Sequence, residues 1–354
     1  MNIAAQSLQK IVQAFLENAG SSADEALCVA EHLVQANLKG HDSHGVGMLV
    51  QYAKSIQEGL LKPNTAARLI NDAGAVLQFS GDRGYGQRTG KEAMAAAIER
   101  AKQTGVCLMT LAKTNHLGRI GTYGEQAAAA GMISVHFVNV TDFNAALVAP
   151  FCGSAARFGT NPICIAMPKS PENPAFILDF ATSIVALGKT RVAYLAGKKF
   201  DEEVMLDAKG HPTNDPKAMW EEPTGALRPI AKHKGGGLIM ACEFLAGLLS
   251  GGGTFQPENP REGAIVNNMT TFVVDPTKLA AKDWFGAEYD AMIDYIRSSP
   301  APFPDEHPIL ISGEPEIRTA AQRLANGIDI SDNEWQAITD AGVALGMRQA
   351  SFSY

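Results

Sequence analysis

Residues 75–90 read AVLQFSGDRGYGQRTG, an apolar run followed by a glycine-rich turn and then by a helical pattern. This order of elements invites comparison with the dinucleotide-binding loop of the Rossmann fold. The glycines at positions 84, 86 and 90 have the spacing G-x-G-x-x-x-G, and no acidic residue ending a second strand follows at the usual distance. The segment therefore predicts a turn that closes a strand–helix unit, and it does not support an ordinary Rossmann fold.

Strand-like and helical segments alternate around this turn. Ser22 and Glu25 have the spacing of a capping box, which predicts the start of the second of two N-terminal helices. Short apolar runs predict strands over residues 106–111, 133–140, 163–167, 176–179 and 269–275. Amphipathic patterns predict helices over residues 49–57, 91–102, 124–130, 238–249, 284–297, 316–325 and 332–345. The polar segment 195–229 reads as a surface excursion, and the whole pattern predicts a mixed α/β architecture.

Composition and charge exclude several classes of function. Of the 354 residues, 46% are hydrophobic and 19% are charged, and the formal net charge is −7. Nucleic-acid binding needs a concentrated basic surface, so that class of partner is disfavoured. The first residues lack the pattern of a secretory signal, and the apolar stretch 238–249 is too short to cross a membrane. Five widely spaced cysteines favour reduced thiols, so we expect a cytoplasmic protein.

A dense polar motif follows the second predicted helix. His41-Asp42-Ser43-His44 places two histidines, a carboxylate and a hydroxyl in consecutive positions. Because histidine titrates near physiological pH, the motif suits proton transfer. Two alternatives stay open at this point. The motif could be a helix-terminal turn whose side chains bond to the backbone, or an H-x-x-H metal site, although no third ligand follows at a recognised distance.

A second histidine, His116, comes directly after the strand predicted over residues 106–111. Residues at the carboxyl ends of strands commonly line clefts in α/β proteins. The glycines that follow at positions 118 and 121 would let the backbone approach a flat ring or a phosphate closely. The glycine-rich setting favours a functional role for His116.

Two further segments suit an anionic ligand. K-H-K-G-G-G at residues 232–237 places cations and glycines at the start of a predicted helix, where backbone amides and the helix dipole favour anions. S-G-E-P at residues 312–315 opens the penultimate helix. Glu314 in that turn is either a helix-start residue or an acceptor for a ribose hydroxyl.

Six motifs occur together and in a fixed order along the chain: D-S-H-G-V at 42–46, G-Y-G-Q at 84–87, N-H-L-G at 115–118, R-F-G-T-N-P at 157–162, D-F-A-T-S at 179–183 and S-G-E-P at 312–315. This combination resembles the malate/L-lactate dehydrogenase family of the L-sulfolactate dehydrogenase-like type. The resemblance extends over nearly the whole chain. Each motif alone is weak, whereas the ordered set is specific.

The resemblance implies a fold and a domain organisation. The fold is mixed α/β, L-sulfolactate dehydrogenase-like and non-Rossmann, with an N-terminal helical segment packed on a mixed-sheet domain. We expect a helical segment over residues 1–70 that contributes Ser43 and His44, and a central cofactor- and substrate-binding domain over residues 71–275. A C-terminal helical segment over residues 276–354 is expected to pack back on the N-terminal part. The resemblance also implies a homodimer.

The implied activity is hydride transfer between NAD or NADP and a small 2-keto or 2-hydroxy acid, such as malate or lactate. Neither an acidic ribose clamp nor an arginine for a 2′-phosphate is evident, which favours NAD. The alternative is reduction of the cyclic imines pyrroline- or piperideine-2-carboxylate, as in one branch of the family. A metal-dependent hydrolase using His41 and His44, or a non-catalytic ligand-binding protein, is less favoured, and no metal site is expected.

Residue roles carry over by motif. Ser43 and His44 correspond to the family's proton-relay pair, His116 to a residue at the nicotinamide and substrate, and Thr160 to a substrate contact. We expect His44, oriented by contact with Ser43, to be the proton donor, with His116 as the second candidate. Cofactor contacts are expected at a further set of positions: His116, Gly118, Gly121, Leu178, Asp179, Phe180, Lys234, Gly235, Ser312, Gly313 and Glu314.

Two positions depart from the family pattern. Several members carry an arginine four residues after the histidine of S-H-G, and this chain has Met48, whose thioether cannot form a bidentate ion pair with the substrate carboxylate. Arg157, Lys189 and Arg119 are the candidates for that role. The imine-reducing branch carries an acidic residue shortly after A-T-S, where this chain has G-K-T-R at 188–191. The second departure counts against imine reduction.

Overall fold

The computed structural model describes residues 1–352. Its helices are α1 (Ala5–Asn18), α2 (Ala23–Leu38), α3 (Leu49–Gln57), α4 (Gly86–Thr104), α5 (Gly121–Ala129), α6 (Leu187–Leu195), α7 (Lys217–Trp220), α8 (His233–Leu249), α9 (Lys282–Arg297), α10 (Glu314–Asn326) and α11 (Asp332–Ala344). Its strands are β1 (Asn2–Ile3), β2 (Arg68–Ala73), β3 (Val76–Ser80), β4 (Val106–Asn115), β5 (Ile133–Thr141), β6 (Ile163–Met167), β7 (Phe176–Phe180), β8 (Met205–Leu206), β9 (Pro212–Thr213), β10 (Ala226–Leu227), β11 (Val266–Val274) and β12 (Ile328–Asp329).

A seven-stranded mixed sheet forms the centre of the fold, in the order β2-β3-β4-β11-β5-β6-β7. Only β3 and β4 pair in parallel, because α4 connects them as a crossover helix. The other neighbouring strands are antiparallel. The predicted mixed α/β fold is confirmed, and the parallel sheet of a Rossmann domain is absent from the described residues.

The central strands are longer than their apolar runs suggested. Strand β4 continues beyond residue 111 to Asn115, and β11 begins at Val266, ahead of the predicted start at 269. Several of the added residues are polar and buried, among them Thr114, Asn267 and Asn268. Because hydrophobic patterning cannot detect a buried polar strand end, these extensions escaped the prediction. They bring His116 to the first position after β4.

The N-terminal helices pack around a core of their own. Buried side chains of α1 to α3, including Phe15, Leu33 and Leu49, meet Trp335 and Ile338 of α11. Each fully buried side chain of this size contributes about 2 kcal/mol to stability. The C-terminal helices α10 and α11 thus contact α2 and α3, as expected for a chain end that returns to the N-terminal part.

The predicted cap at the start of α2 is half right. The Ser22 hydroxyl accepts from the amide of Glu25, as an N-cap should. The Glu25 carboxylate does not reach back to Ser22. It is buried, accepts from the amide of Asn64 at 2.7 Å, and pairs with Arg88 at 3.2 Å. The side chain ties α2 to α4, so tertiary contacts prevailed over local capping.

The glycine-rich turn permits close packing. Helix α4 begins at Gly86, five residues before the predicted start at 91, because the glycines belong to the helix itself. A Cβ at Gly86 would overlap the carbonyl oxygens of Asn115 and His116. A Cβ at Gly90 would lie 2.6 Å from the Tyr123 ring. The turn therefore brings α4 against the segment that carries His116.

The segment predicted as a surface excursion is more ordered than expected. It contains α7 and a three-stranded sheet in the order β10-β8-β9. Met205 and Leu227 are fully buried there beside Val148. The strands are two residues long, too short for periodicity to reveal them. Among the described residues, no helix is both long and apolar enough to cross a membrane.

Candidate active site

The candidate site lies where β4 ends against the N-terminal helices. His116 is buried at the first position after β4, and its backbone amide donates to the Asn115 side chain at 2.9 Å. His44 ends a short 3-10 turn, Asp42–His44, that follows α2. Tyr52 projects from α3 and is fully buried. Sequence analysis predicted the two histidines together, and the structure brings them into contact.

A continuous hydrogen-bond chain joins four side chains. The Gln87 amide nitrogen donates to the Tyr52 hydroxyl at 2.6 Å. Tyr52 Oη lies 2.8 Å from Nδ1 of His116, and Nε2 of His116 lies 3.2 Å from Nδ1 of His44. The two imidazoles are stacked, with centroids 5.3 Å apart and an interplanar angle of 17°. The arrangement suits the transfer of a proton between the histidines.

Burial keeps these histidines neutral. Burial, together with the smaller effects of His41 and Arg119, lowers the pKa of His44 to about 4. Burial also lowers the pKa of His116 well below its ordinary value, with His44 and His32 acting in the same direction. A neutral imidazole is one donor and one acceptor, so each ring has a defined polarity in the chain.

The rest of the H-D-S-H motif serves different purposes. His41 Nε2 lies 3.1 Å from Glu316 of α10, and Asp42 accepts two hydrogen bonds from Arg323 at 2.6 and 3.0 Å. Both contacts fasten the turn to α10. Ser43 is exposed, and its hydroxyl has no hydrogen bond to His44 within residues 1–352. The expected orienting contact between Ser43 and His44 is therefore not formed, and His116 holds the His44 ring instead.

The predicted substrate-binding residues are dispersed. Met48 packs on the N-terminal core beside Val46 and Leu49, so its side chain contributes packing. Thr160 is half-buried, and its carbonyl accepts from the amide of Thr182 at 2.9 Å. Arg157 is exposed and donates to the adjacent carbonyl of residue 156 at 2.7 Å.

Several of the predicted cofactor residues lie on or beside β7, an edge strand of the sheet, whereas His116 and Gly118 follow β4 and Lys234 and Gly235 lie in α8. The amide of Ile177 donates to the carbonyl of Ser312 at 3.0 Å, which places the turn before α10 beside this strand. Asp179, two residues further on, accepts from the amide of Gly121 at 2.6 Å at the start of α5. Beyond the strand, the amide of Ile230 donates to the carbonyl of Thr182 at 2.9 Å. Ile230 comes shortly before α8, whose first turn contains Lys234 and Gly235.

An incompletely bonded guanidinium lies beside this strand. Arg119 is 1% exposed and donates to Glu125 at 2.8 Å, yet its Nε and Nη2 have no hydrogen-bond partner among the described residues. Nε lies 3.9 Å from Asp179. Buried N–H groups without acceptors are costly, so the nearby carboxylates of Glu125 and Asp179 are what compensates the charge of Arg119. Gly121 is required here, because a Cβ would lie 2.6 Å from Nη2.

Glu314 fulfils the first of its two expected roles, at the start of α10. One carboxylate oxygen of Glu314 accepts from the amide of Ile311 at 2.7 Å, and the other accepts from Arg297 at 2.6 Å. Gly313 precedes α10 with a φ of 103°, a left-handed conformation that favours glycine. Glu314 is thus a helix-start residue, and each of its carboxylate oxygens already accepts one hydrogen bond.

A buried carboxylate behind the site was missed from the sequence. Glu243 of α8 accepts from the Asn161 amide at 2.6 Å, from the Asn139 amide at 3.1 Å and from the amide of Phe255 at 2.6 Å. The Asn139 side chain in turn accepts from Asn268 at 2.9 Å. The signal was present: a single charged residue in the apolar stretch 238–249 is unexpected unless it is paired.

The same network reaches the His116 loop. The Asn267 side chain donates to the carbonyl of Asn139 at 3.0 Å and accepts from the amide of Leu117 at 2.8 Å. Glu243 therefore connects the loops of Thr160 and His116 through buried amides. Among the described residues, no group of three or more His, Cys, Asp or Glu side chains could hold a metal ion.

Comparison with known proteins identifies the family. A family model described as malate/L-lactate dehydrogenase matches residues 3–339. The chain belongs to the malate/L-lactate dehydrogenase family. Members of this family are oxidoreductases of hydroxy acids, and the expected dehydrogenase activity on 2-hydroxy acids is thereby confirmed at the level of the family.

Similar members of the malate/L-lactate dehydrogenase family span the whole chain. Hydroxycarboxylate dehydrogenase B of Escherichia coli K12 is 43% identical over 345 residues, 97% of this chain and 94% of the relative. L-lactate dehydrogenase of Cupriavidus necator is 40% identical over 347 residues, 98% of this chain and 99% of the relative. The solved sulfolactate dehydrogenase of Methanocaldococcus jannaschii is 30% identical and superposes with a TM-score of 0.86, covering 99% of both chains.

Proposed function

We propose that the chain interconverts small 2-keto and 2-hydroxy acids, with His44 exchanging the proton with the substrate oxygen. One observation carries this assignment. Both ring nitrogens of His116 and Nδ1 of His44 are bonded, whereas Nε2 of His44 has no hydrogen-bond partner within residues 1–352. His44 is also the more accessible of the two rings. Since reduction of a carbonyl places negative charge on oxygen, the free nitrogen supports His44 as the donor.

We further propose a nicotinamide cofactor held along β7, with NAD favoured over NADP. When bound, the nicotinamide exchanges a hydride with C2 of the substrate. Asp179, which faces the buried Arg119, and the turn at Ser312 and Gly313 both border β7, so they would flank the cofactor. Lys234 stands in the first turn of α8 and would offer a cation to phosphate.

The substrate carboxylate requires a cation that Met48 does not supply. Of the three candidates, Arg119 is buried against Glu125, and the Arg157 guanidinium bonds to the adjacent carbonyl of residue 156, with no contact to the His44 turn among the described residues. Lys189 is exposed in the first turn of α6, next to Gly188, and a Cβ at Gly188 would lie 3.1 Å from the Ser43 side chain. This proximity to the His44 turn favours Lys189 as the carboxylate partner.

Cyclic imine reduction gains no support beyond the fold. The solved piperideine-2-carboxylate reductase of Pseudomonas syringae has a TM-score of 0.84 at 23% identity, which concerns architecture alone. The absence of an acidic residue in the G-K-T-R segment still argues against this alternative.

A substrate screen tests the proposed function. Purified protein should oxidise at least one of malate, lactate and sulfolactate with NAD, and more slowly with NADP, while pyrroline-2-carboxylate with NADPH gives no turnover. Titration with NADH, followed by cofactor fluorescence, should saturate in the micromolar range. Absence of both turnover and saturable binding would contradict the proposal.

We also propose a cytoplasmic homodimer. Met240, Phe244 and Leu248 follow one face of α8 at four-residue spacing and are 41%, 52% and 63% exposed. Such a row of large apolar side chains is typical of a surface that another protein covers, and a second copy is the simplest occupant. Sedimentation velocity should give twice the chain mass of 37.6 kDa, and Phe244→Arg should shift it toward the monomer. All five cysteines are free thiols, in keeping with a reducing compartment.

A further inference from the structure

One polar atom beside the histidine pair has no assigned use. Gln87 lies in the first turn of α4, is 1% exposed, and donates from Nε2 to Tyr52. Its Oε1 is buried and has no hydrogen-bond partner among the described residues. A buried amide oxygen left without a donor costs free energy, so its presence calls for an explanation.

We propose that Gln87 is a positioning residue that sets the direction of the hydrogen-bond chain, and thereby decides which ring nitrogen of His44 carries a proton. The inference rests on the proposed role of His44 in proton exchange. Gln87 does not touch the substrate. It acts through Tyr52 and His116.

In the observed orientation, every bond in the chain has a defined direction. A tyrosine hydroxyl has a single hydrogen. Because Tyr52 accepts from Gln87, it donates that hydrogen to Nδ1 of His116. The proton of neutral His116 then sits on Nε2 and points at Nδ1 of His44. His44 must therefore hold its own proton on Nε2, where it can donate a hydrogen bond to a substrate oxygen but where no proton can be accepted.

Rotating the Gln87 amide by half a turn reverses the direction of every hydrogen bond from Gln87 to His44. Oε1 then accepts from Tyr52, Tyr52 accepts from Nδ1 of His116, and Nε2 of His116 accepts from Nδ1 of His44. Nε2 of His44 becomes a free base. In oxidation, it takes the hydroxyl proton of the substrate while the C2–H bond breaks, its electron pair leaves as hydride to the nicotinamide, and the carbonyl forms.

Only the reversed hydrogen-bond chain accommodates a doubly protonated His44. In the observed direction, a proton on Nδ1 of His44 would face the N–H of His116 across 3.2 Å. A glutamine offers a donor and an acceptor in one planar group, so it supports both directions, whereas a carboxylate supports only the reversed one. The orphaned Oε1 is the acceptor that the reversed chain requires.

The surrounding charges do not substitute for Gln87. His41 and Arg119 are the charged groups that act on His44, and both disfavour its cation. Glu334, which lies against Gly47, is itself buried in surroundings that raise the pKa of its carboxyl. The direction of the hydrogen-bond chain is therefore determined by its hydrogen-bonding partners and not by nearby charges.

The test reads the imidazole tautomers directly. Histidine-selective ¹⁵N labelling and NMR at pH 8 distinguish protonated from bare ring nitrogens. Wild-type protein should carry the proton on Nε2 of both His44 and His116. Gln87→Glu, an acceptor only, should move it to Nδ1 in both rings. Gln87→Met removes both the donor and the acceptor, so it should give a mixture of tautomers in both rings, and it should lower kcat/KM for oxidation at least tenfold.

Unchanged tautomers in Gln87→Glu would overturn the proposal. If that variant fails to fold, Tyr52→Phe provides the same readout, since it severs Gln87 from His116 and should give a mixture of His116 tautomers. A single wild-type tautomer in Tyr52→Phe would also overturn it. Because these spectra need neither substrate nor cofactor, a failure here is distinct from a failure of the substrate screen.

Discussion

Replacing His44 with alanine should lower kcat/KM in both directions by at least ~10²-fold, the usual contribution of a positioned acid–base group. Nε2 of His44 is the one nitrogen of the stacked pair left free within the described residues, so His116 cannot take over. His44 is half-buried in a 3-10 turn, and its loss leaves no large core cavity. Steady-state kinetics with the best acid from the screen, together with thermal unfolding, measures the effect.

His41→Gln is the matched control for this experiment. His41 lies three residues away in the same motif, and its ring contacts Glu316 at the edge of the turn. A partly exposed contact of this kind contributes little, so kcat/KM should change by no more than about threefold. Equal losses in the two variants, or a His44→Ala enzyme retaining a tenth of its activity, would contradict the assignment. NADH affinity should be unchanged in both.

The pH profile provides a second check on His44. As the base in oxidation, His44 must be unprotonated, and burial lowers its pKa to about 4. The kcat/KM for oxidation should therefore be flat between about pH 6 and 8 and fall only at lower pH. A break at the ordinary histidine pKa, about 6.5, would indicate another base.

Replacing Asn161 with aspartate should destabilise the protein by about 3 kcal/mol at pH 7, the usual cost of a buried charge without its partner. The Asn161 amide donates to Glu243 at 2.6 Å, so the variant sets two carboxylates against each other in a buried site. One must take up a proton, which raises its pKa above the unfolded value. The deficit should shrink as the pH falls from 7 to 5, measured by denaturant unfolding.

The reciprocal exchange Asn161→Asp with Glu243→Gln tests the direction of this bond. The double variant restores one donor facing one acceptor, so it should recover most of the lost stability and of kcat/KM. Glu243→Gln alone should be milder, because the Asn161 amide can rotate and present Oδ1, which has no partner at present among the described residues. A double variant as unstable as Asn161→Asp would show that the network does not couple these residues.

The sequence predicted the proposed catalytic histidines better than the residues that position them through hydrogen bonds. His44 and His116 were expected together because their motifs are dense in polar residues and glycine, and they are in contact. Most helix cores were predicted because apolar spacing records burial. Tyr52 was not predicted, since a tyrosine on an amphipathic helix has no distinctive pattern, and Gln87 entered only as part of the G-Y-G-Q motif, with no role of its own. Only the meeting of α3, α4 and β4 gives them a role.

The predicted contact between Ser43 and His44 failed for a related reason. Adjacent residues in a 3-10 turn point in different directions, so nearness in sequence did not bring the two side chains together. Some hydrogen bonds join residues that are far apart in the sequence, such as Glu243 and Asn139, which are separated by 104 positions. No local sequence pattern encodes such partners.

The position of β11 has a consequence for how the chain acquires its structure. This strand enters between β4 and β5 although its residues, Val266–Val274, are made long after both. Until it emerges from the ribosome, the growing chain holds two partial sheets whose facing edges are unpaired, a state prone to aggregation. Closure of the N-terminal strand β1 on β12 must wait longer still. Synthesis should therefore end with a slow, late assembly step in which chaperone binding has its largest effect on yield.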